Sequence, residues 1–290
     1  MKKALFLVLV ILSVSCNRSS RQTRDERIIT VSIAPYKFFI DSISGGDFLV
    51  NVMVPAGADP HIYEPVPEQI TRLSSSEAYI SNGFLGFEMV WLERLYQVNK
   101  KMRKLNLGEV IEPIAPQEDH HGEHQEGADP HYWVAPSCAL KMAPVIKDFL
   151  IELNPLGKDK YEQNCASLVS GINAMDQRAR TMFAGYQSAP FMIYHPNLAY
   201  IARDYGLREI SVESEGKEPS PAAMKALIDE ARKYNIKTIF VQKEYDRRNA
   251  RAIASEIGAQ LVIIDPLSEN WSESVNFILD ALYKSFNGSI

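Results

Sequence analysis

Short apolar runs alternate with helix-period segments along most of this chain, and this alternation restricts the fold more than any other feature of the sequence. The runs from Arg27 onward have the composition of buried strands, and the segments between them have the apolar spacing of helices. Strands that alternate with helices favour parallel sheets with helices on their faces. A chain of 290 residues is long enough for two such domains. The sequence therefore predicts an α/β fold of two lobes with mainly parallel sheets flanked by helices.

The predicted elements place one very long helix between the two lobes. Predicted strands cover residues 28–34, 48–54, 78–82, 191–194, 208–212, 238–241 and 261–264. Predicted helices cover residues 37–43, 84–96, 136–153, 158–185, 199–205, 221–234, 248–257 and 271–286, and a further helix begins near residue 68. Segment 158–185 would be about 42 Å long at about 1.5 Å per residue, enough to bridge both lobes as one rigid connector. The alternative is two ordinary helices that break near Gly171.

The amino terminus has the pattern of an export signal. Met1-Lys2-Lys3 precedes an apolar run from Ala4 to Leu12, which is too short to cross a bilayer, and small residues then lead to Cys16. The cysteine predicts a lipoprotein signal over residues 1–16 with Cys16 as the lipidated residue, although Ser13 stands where such signals usually carry an aliphatic residue. The alternative is an uncleaved anchor with an incidental cysteine. We expect an exported protein, lipid-anchored at the cell envelope and facing the periplasm or the outside.

The rest of the chain divides into a tether, two lobes and their connector. Residues 17–26 are polar and predict a flexible tether. We expect an N-terminal lobe over residues 27–157, a connecting helix over 158–186 and a C-terminal lobe over 187–290. The formal net charge of −5 and the sequence pI near 5.8 argue against a nucleic-acid partner, which would require a basic face.

Cys138 and Cys165 are predicted to be free thiols. Export would permit a disulfide. The two cysteines lie on predicted helices joined at residues 154–157, at roughly 25 and 15 Å from the turn if the helices run antiparallel. A disulfide does not tolerate such an offset.

One pentapeptide, Gly-Ala-Asp-Pro-His, occurs twice and presents a histidine each time, at His61 and at His131. The proline stiffens the backbone next to the histidine, so each ring is mounted on a rigid turn. His195 follows a predicted strand and precedes a proline, and Asp265 does the same. The carboxyl ends of strands in α/β sheets are where ligands bind. The bland alternative, a chance histidine after a common Asp-Pro turn, is weakened by the second identical copy.

The other three of the six histidines lie together in an acidic segment before the second pentapeptide. His120, His121 and His124 stand among carboxylates and without aliphatic residues. Short histidine-rich tracts are typical of loose metal binding. We therefore predict an auxiliary metal-binding loop, and the alternative is an ordinary solvated surface loop.

Three imidazoles and one carboxylate form a nitrogen-rich set that suits zinc. The predicted ligands are His61, His131, His195 and Asp265. Manganese would prefer more oxygen, and copper remains chemically possible because affinity for such ligands rises toward copper. If Asp265 serves only as a turn residue, water would complete the shell. Each histidine needs an acceptor for its second nitrogen, and Glu64 is the candidate for His61.

Several motifs carry a family resemblance, namely Val54-Pro55-Ala56-Gly57-Ala58-Asp59-Pro60-His61-Ile62-Tyr63-Glu64-Pro65, Asp129-Pro130-His131-Tyr132-Trp133, Tyr194-His195-Pro196-Asn197 with Tyr200, Tyr205-Gly206-Leu207, and Glu218-Pro219-Ser220. In these motifs, and in their order over residues 28–286, the chain resembles the metal-binding substrate-binding proteins of bacterial ABC transporters for zinc and manganese. The resemblance implies two α/β metal-binding lobes bridged by a long helix, one metal site between them, and delivery to a membrane permease driven by a cytoplasmic ATPase.

The resemblance also carries residue roles to this chain. His61, His131 and His195 match the family's histidine ligands, and Asp265 matches its carboxylate. A histidine at position 195 resembles zinc-type members, since manganese-type members tend to have glutamate there. The histidine-rich loop also resembles zinc-type members, although theirs is often longer. We expect a zinc carrier that acts as a monomer, with a manganese-type member as the alternative.

Two other classes of function remain alternatives. A zinc hydrolase would need a general base near a zinc-bound water, and Glu64, Glu213 and Glu215 are available. No His-Glu-x-x-His motif occurs, so we expect no enzymatic activity. A surface adhesin or a static metal store is the other class, and storage would predict several equivalent ions per chain.

Overall fold

The computed structural model describes residues 26–114, 127–213 and 219–289, and within them the chain forms two four-stranded sheets. The strands are β1 Ile28–Val31, β2 Leu49–Val52, β3 Ala78–Ser81, β4 Arg103–Asn106, β5 Pro190–Ile193, β6 Arg208–Ser211, β7 Thr238–Gln242 and β8 Gln260–Ile264. Their orders are β2-β1-β3-β4 and β6-β5-β7-β8, and every pairing is parallel. The two lobes therefore repeat one topology, and the predicted α/β architecture is confirmed.

Each sheet has one topological switch point, where successive strands stop being added on one side of the first strand and continue on its other side. In the N-terminal sheet this point lies between β1 and β3, and in the C-terminal sheet between β5 and β7. The crevice beyond the carboxyl ends of the strands at such a point is where open α/β sheets bind ligands. Both lobes thus offer a crevice of this kind.

Helices cover both sheets and one helix connects them. They are α1 Pro35–Ser44, α2 Pro67–Ser74, α3 Gly86–Val98, α4 Pro136–Leu153, α5 Lys158–Phe183, α6 Ala199–Tyr205, α7 Pro221–Lys233, α8 Arg248–Ile257 and α9 Trp271–Asn287. Helix α7 begins as predicted, with Ser220 Oγ accepting the backbone N–H of Ala223 at 3.2 Å and Pro221 in the first turn.

Helix α5 is continuous through Gly171 and measures about 39 Å at about 1.5 Å per residue. It packs on α1 and α4 in the first lobe and on α6 and α9 in the second. The single long connector is therefore confirmed, and it ends at Phe183, a little before its predicted end. The domain boundaries at residues 157 and 187 stay predictions.

The main hydrophobic core runs from one lobe into the other. It includes Ile29 and Phe39 of the N-terminal lobe together with Phe191 and Phe240 of the C-terminal lobe. Trp271, at the start of α9, is buried with its ring 5.0 Å from that of Phe39. Because apolar burial stabilises this joint, the lobes cannot move apart here without exposing core side chains.

One strand, β4, differs from the sequence prediction. Strand β4 is absent from the sequence prediction because its residues are mostly polar and only partly buried, as is typical of a sheet edge.

Cys138 and Cys165 are buried free thiols, as predicted, and burial raises the pKa of both. The predicted lipidation site Cys16 and the loop histidines His120, His121 and His124 lie outside the described residues. None of the helices in the described ranges is both long and apolar enough to cross a membrane.

Gly171 offers a test of the continuous connector. A methyl group added at Gly171 meets no atom within 4 Å, and alanine is favoured over glycine inside a helix. Gly171→Ala should therefore raise the free energy of unfolding by about 0.5–1 kcal/mol. Urea denaturation of both proteins measures the difference.

Gly258→Ala is the matched control, because that position is equally open but has a left-handed φ of 64°. This variant should be destabilised. A Gly171→Ala protein that is no more stable than the wild type would indicate that the helix breaks there.

Candidate metal centre

Three histidine rings from the two lobes converge on one point. Nε2 of His61 lies 3.0 Å from Nε2 of His131 and 3.1 Å from Nε2 of His195, and the latter two nitrogens are 3.4 Å apart. Among the described residues, these three form the group of side chains able to share one metal ion. The sequence predicted this convergence of residues that lie 70 and 64 positions apart.

The repeated pentapeptide folds in the same way in both copies. In each, the aspartate Oδ1 accepts the backbone N–H of the histidine two residues later at 2.8 Å, from Asp59 to His61 and from Asp129 to His131. The leading glycines adopt positive φ, 81° at Gly57 and 133° in the second copy. These turns therefore position both histidines through their own backbone.

The His61 loop also rests against the start of α3. The backbone N–H of Phe87 donates to the carbonyl of Pro60 at 3.3 Å. A Cβ atom at Gly86 would lie 2.3 Å from the carbonyl oxygen of His61. Only glycine permits this approach, so a helix terminus supports the loop.

The His131 turn is held by Asn82, which follows β3. Asn82 Nδ2 donates to the carbonyl of Pro130 at 3.0 Å, and the hydroxyl of Tyr132 donates to the carbonyl of Asn82 at 2.7 Å. The residues on either side of His131 are thus fixed to one asparagine. His131 itself is buried, with 5% of its surface exposed.

His195 is held from the adjacent strand of the C-terminal sheet. Gln242, the last residue of β7, accepts the backbone N–H of His195 through Oε1 at 3.3 Å and donates through Nε2 to its carbonyl. Tyr245 stacks on the imidazole, with centroids 4.7 Å apart and planes at 14°. Glu209 supports the turn that follows by accepting the Leu198 N–H at 2.7 Å, and burial raises the pKa of this carboxyl to about 8. The ring therefore has little freedom to rotate.

Carboxylates lie behind two of the rings, that of Asp129 half-buried and that of Glu213 buried. Asp129 Oδ1 is 2.9 Å from Nδ1 of His131, and Glu213 Oε2 is 3.5 Å from Nδ1 of His195. A carboxylate at Nδ1 favours the tautomer with the proton there, which leaves the lone pair on Nε2. The lone pairs of His131 and His195 then face the same point, where a cation would stabilise them.

The triangle of nitrogens has the size that zinc requires. Tetrahedral zinc with bonds of about 2.0–2.1 Å to nitrogen places its ligands about 3.3 Å apart. The observed separations are 3.0, 3.1 and 3.4 Å. A single ion can thus contact all three nitrogens with little movement of the rings.

The three rings line a cavity of about 10 Å³ between the lobes. This is roughly the space of one water-sized sphere. Side-chain hydrogen bonds cross between the lobes beside it, from Tyr245 Oη to Asp59 Oδ2 at 3.4 Å, from Trp133 Nε1 to Pro266 O at 2.9 Å and from Tyr200 Oη to Asp129 O at 2.8 Å. The structure therefore has a closed cleft that fits a single ion.

Electrostatics at the cavity favour a cation over protons. Burial, together with the neighbouring His131 and His195, lowers the pKa of His61 to about 2. Burial also raises the pKa of Glu244, at the cavity wall, to about 7, and the nearby Asp265 adds to this shift. His61 therefore resists protonation, whereas an ion bound to all three rings would relieve the repulsion between their lone pairs.

The sequence matches the family described as ZnuA, zinc-uptake complex component A periplasmic, over residues 29–284. The chain belongs to this family. The high-affinity zinc uptake system protein ZnuA of Bacillus subtilis (strain 168) is 25% identical over 281 residues, covering 91% of this chain and 86% of that relative. Zinc-binding lipoprotein AdcA of Streptococcus pneumoniae is 24% identical over 275 residues, covering 91% of this chain and 53% of AdcA. This chain therefore spans about half the length of AdcA.

Solved structures agree with this membership. A crystal structure of ZnuA superposes with a TM-score of 0.83 at 35% identity and covers 90% of this chain and 99% of that chain. The laminin-binding protein Lmb of Streptococcus agalactiae superposes with a TM-score of 0.79 at 22% identity, covering 90% of this chain and 99% of Lmb, and shows the fold alone. The zinc-uptake family is a family of solute-binding proteins that work with an ABC permease and its ATPase.

Two side chains predicted for the site lie elsewhere in this member of the zinc-uptake family. The Asp265 carboxylate does not join the histidine cluster, because it pairs with Lys243 Nζ at 3.2 Å and its side chain is 37% exposed. The adjoining Pro266 and Leu267 line the cavity instead. Glu64 is exposed, and within the described ranges it forms no hydrogen bond or ion pair with His61.

The carboxylates near the rings were not identified as such from the sequence. Asp129 belongs to the repeated pentapeptide, so the repeat itself was the signal for its role. Glu213 and Glu244 each stand two residues beyond the end of a strand, β6 and β7. Ligands bind at the carboxyl ends of strands in α/β sheets, and this rule applies to Glu213 and Glu244 as it does to the histidines. The sequence contains no signal that distinguishes these two glutamates from other acidic residues at strand ends.

The lowered pKa of His61 predicts how acid affects the metal-free protein. An unfolded histidine binds a proton below about pH 6.5, whereas folded His61 stays neutral down to about pH 2. The contribution of His61 to the free energy of unfolding is therefore fully present above about pH 6.5 and is lost as the pH falls below it, by at most about 1.4 kcal/mol per pH unit. The raised pKa values of Glu209 and Glu244 act in the opposite direction, so the His61 contribution is read as a difference from a variant that lacks this group. Urea denaturation with a chelator at about pH 7, 6 and 5 measures the slope.

His61→Gln is the matched control for this measurement. The variant keeps a polar side chain but has no group that titrates at this position. Between about pH 6.5 and 5 the free energy of unfolding of the wild type should therefore fall relative to that of the variant, by at most about 1.4 kcal/mol per pH unit. Equal slopes in the two proteins would contradict the prediction.

Proposed function

We propose that this chain is a high-affinity extracytoplasmic zinc-binding protein that delivers zinc to an ABC transporter permease for import. The observation that carries the proposal is the convergence of three Nε2 atoms within 3.4 Å of one another between the two lobes. Membership of the zinc-uptake family supports it. The relatives named above as zinc uptake and zinc-binding proteins support the same cargo.

The proposed ligands are His61, His131 and His195. Three neutral imidazoles suit zinc, which accepts nitrogen ligands in a tetrahedral set. Manganese prefers oxygen, so a site whose converging atoms are all nitrogens favours zinc over manganese. Manganese is therefore the weaker candidate for the cargo.

Zinc binding and lobe closure are coupled in this proposal. The N-terminal lobe contributes His61 and His131, and the C-terminal lobe contributes His195. The full set of three exists only while the lobes are together, so the ion stabilises the closed arrangement. A permease that separates the lobes would remove one imidazole and weaken the site, which is a direct route to release.

We propose no enzymatic role. Glu213 lies at the Nδ1 side of His195, away from the Nε2 atom that faces the cavity, so it is poorly placed to activate a water on the metal. Glu64 is exposed, and Glu215 lies outside the described residues. The family of solute-binding proteins to which the chain belongs supports the same conclusion.

The proposed setting is the cell envelope, where the protein would face the periplasm or the outside. The signal at residues 1–16 and the cysteine at its end support export and a lipid anchor at Cys16. A relative that is named a lipoprotein supports the anchor. We propose that the protein acts there as a monomer.

Removal of one ligand tests the proposed site. His195→Ala should lower zinc affinity by at least about 100-fold, because loss of a direct ligand costs more than the 10- to 100-fold typical of groups that only orient a ligand. Competition titration with a zinc chelator measures the change. His121→Ala, which removes a histidine of the acidic loop, is the control and should keep the tight affinity. Equal affinity of His195→Ala and wild type would refute the assignment.

Removal of the acidic loop separates transport from storage. Deletion of residues 117–126 should leave one tightly bound zinc ion per chain, since the converging histidines lie outside the loop. Native mass spectrometry and calorimetry of both proteins count the ions and compare the affinities. Loss of the tight ion on deletion, or several equivalent tight ions in the full chain, would contradict the proposal.

A further inference from the structure

The three histidines leave one coordination position of a tetrahedral ion open. An ion about 2.0–2.1 Å from three nitrogens at these separations lies roughly 1 Å outside their plane, with its fourth position directed away from them. The remaining wall of the cavity is formed by Pro60, Trp133, Asn197, Glu244, Tyr245, Pro266 and Leu267. The fourth ligand is therefore either water or a side chain of this wall.

Glu244 is the one acidic side chain among the described residues that line this cavity. Tyr245 has a hydroxyl there, but it donates to Asp59. Asn197 offers only an amide oxygen, although its Oδ1 is buried and has no hydrogen-bond partner among the described residues. Zinc takes carboxylate oxygen as its usual oxygen ligand, so the chemistry of the wall favours Glu244.

The turn that carries Glu244 is fixed to His195 on both sides. Gln242, two residues earlier, is hydrogen-bonded to the backbone of His195 through both atoms of its amide. Tyr245, the next residue, stacks on the imidazole. Glu244 is thus placed next to one proposed ligand by its two neighbours.

The Glu244 carboxylate is not neutralised by a neighbouring cation among the described residues. It is half-buried, and it forms no ion pair with a lysine or arginine in the described parts of the chain. Lys243 and Asp265 pair with each other at 3.2 Å and are both more than a third exposed. The acid predicted from sequence is therefore neutralised outside the cavity, and an unpaired acid stands at its wall.

We propose that Glu244 supplies the fourth ligand to the ion held by His61, His131 and His195. Its oxygens do not yet lie in the cluster of nitrogens, and rotation about the side-chain bonds of the glutamate brings one of them to the ion. The anionic ligand offsets one of the two positive charges that three neutral imidazoles leave uncompensated. This inference rests on the proposed zinc-binding function and identifies the carboxylate of that site.

Glu244→Gln tests the inference because it removes the charge and keeps the shape. Zinc affinity, measured by competition with a chelator, should fall about tenfold or more. Asp246→Asn is the matched control, since it removes a carboxylate from the same loop that is paired with Arg248. This control should stay within about twofold of the wild type. Thermal unfolding of the metal-free proteins should show that each variant is folded.

Asp265→Asn and Asn197→Ala test the rival oxygen ligands in the same titration. A larger loss in either variant than in Glu244→Gln overturns the inference, as does wild-type affinity in Glu244→Gln. A crystal structure of the zinc-loaded protein should place a Glu244 oxygen about 2.0–2.2 Å from the ion. Water or Asp265 at that position overturns the inference.

The two proposals fail in different ways. A wild-type protein that binds no zinc tightly refutes the proposed function and with it the role of Glu244. If the wild-type protein binds zinc tightly and the Glu244→Gln variant binds it with the same affinity, only the role of Glu244 is refuted.

Discussion

The convergence of three imidazole nitrogens on one point is the constraint on which the rest of this structure depends. Without a cation, lone pairs of His131 and His195 face each other at 3.4 Å, an arrangement that water-exposed side chains would relieve by turning away. Here they cannot, because Asp129 holds the backbone and Nδ1 of His131, while Gln242 holds the backbone of His195 and Tyr245 stacks on its ring. The fold therefore imposes an arrangement that is unfavourable in the empty protein and favourable around a divalent ion. This is preorganisation of a binding site at the expense of local stability.

The architecture that imposes this arrangement limits how far the site can open. The core continues from one lobe into the other, and α5 and α9 both contact the N-terminal and C-terminal halves. Polar contacts such as that between Tyr245 and Asp59 lie at the cleft, whereas the apolar joint lies behind it. Polar contacts can exchange with water at small cost, but the apolar joint cannot. Opening is therefore expected to be a small rotation that breaks the contacts at the cleft and keeps the joint.

Much of this arrangement could be predicted from the sequence because strand ends and rigid turns are local features. The repeated Asp-Pro-His turn locates His61 and His131, and parallel strands bring their carboxyl ends to one edge. The direction of a side chain beyond that edge depends on neighbours in space. Asp265 follows β8 as predicted, yet the pairing of β8 with β7 places Lys243 beside it, and the ion pair turns its carboxylate to solvent. Strand β4 escaped detection for a related reason, since an edge strand needs no apolar pattern.

The carboxylates around the site explain how tight binding and release can coexist. Asp129 and Glu213 lie at the Nδ1 side of the rings, outside the cavity, and favour the orientation in which each Nε2 faces the ion. The two serve opposite lobes, because Asp129 belongs to the His131 turn and Glu213 follows β6 beside His195. Separation of the lobes leaves each carboxylate with its own histidine but divides the set of ligands. Affinity then falls through the loss of simultaneous contact, not through any change in the individual rings, and both halves remain ready to bind the next ion when the lobes meet again.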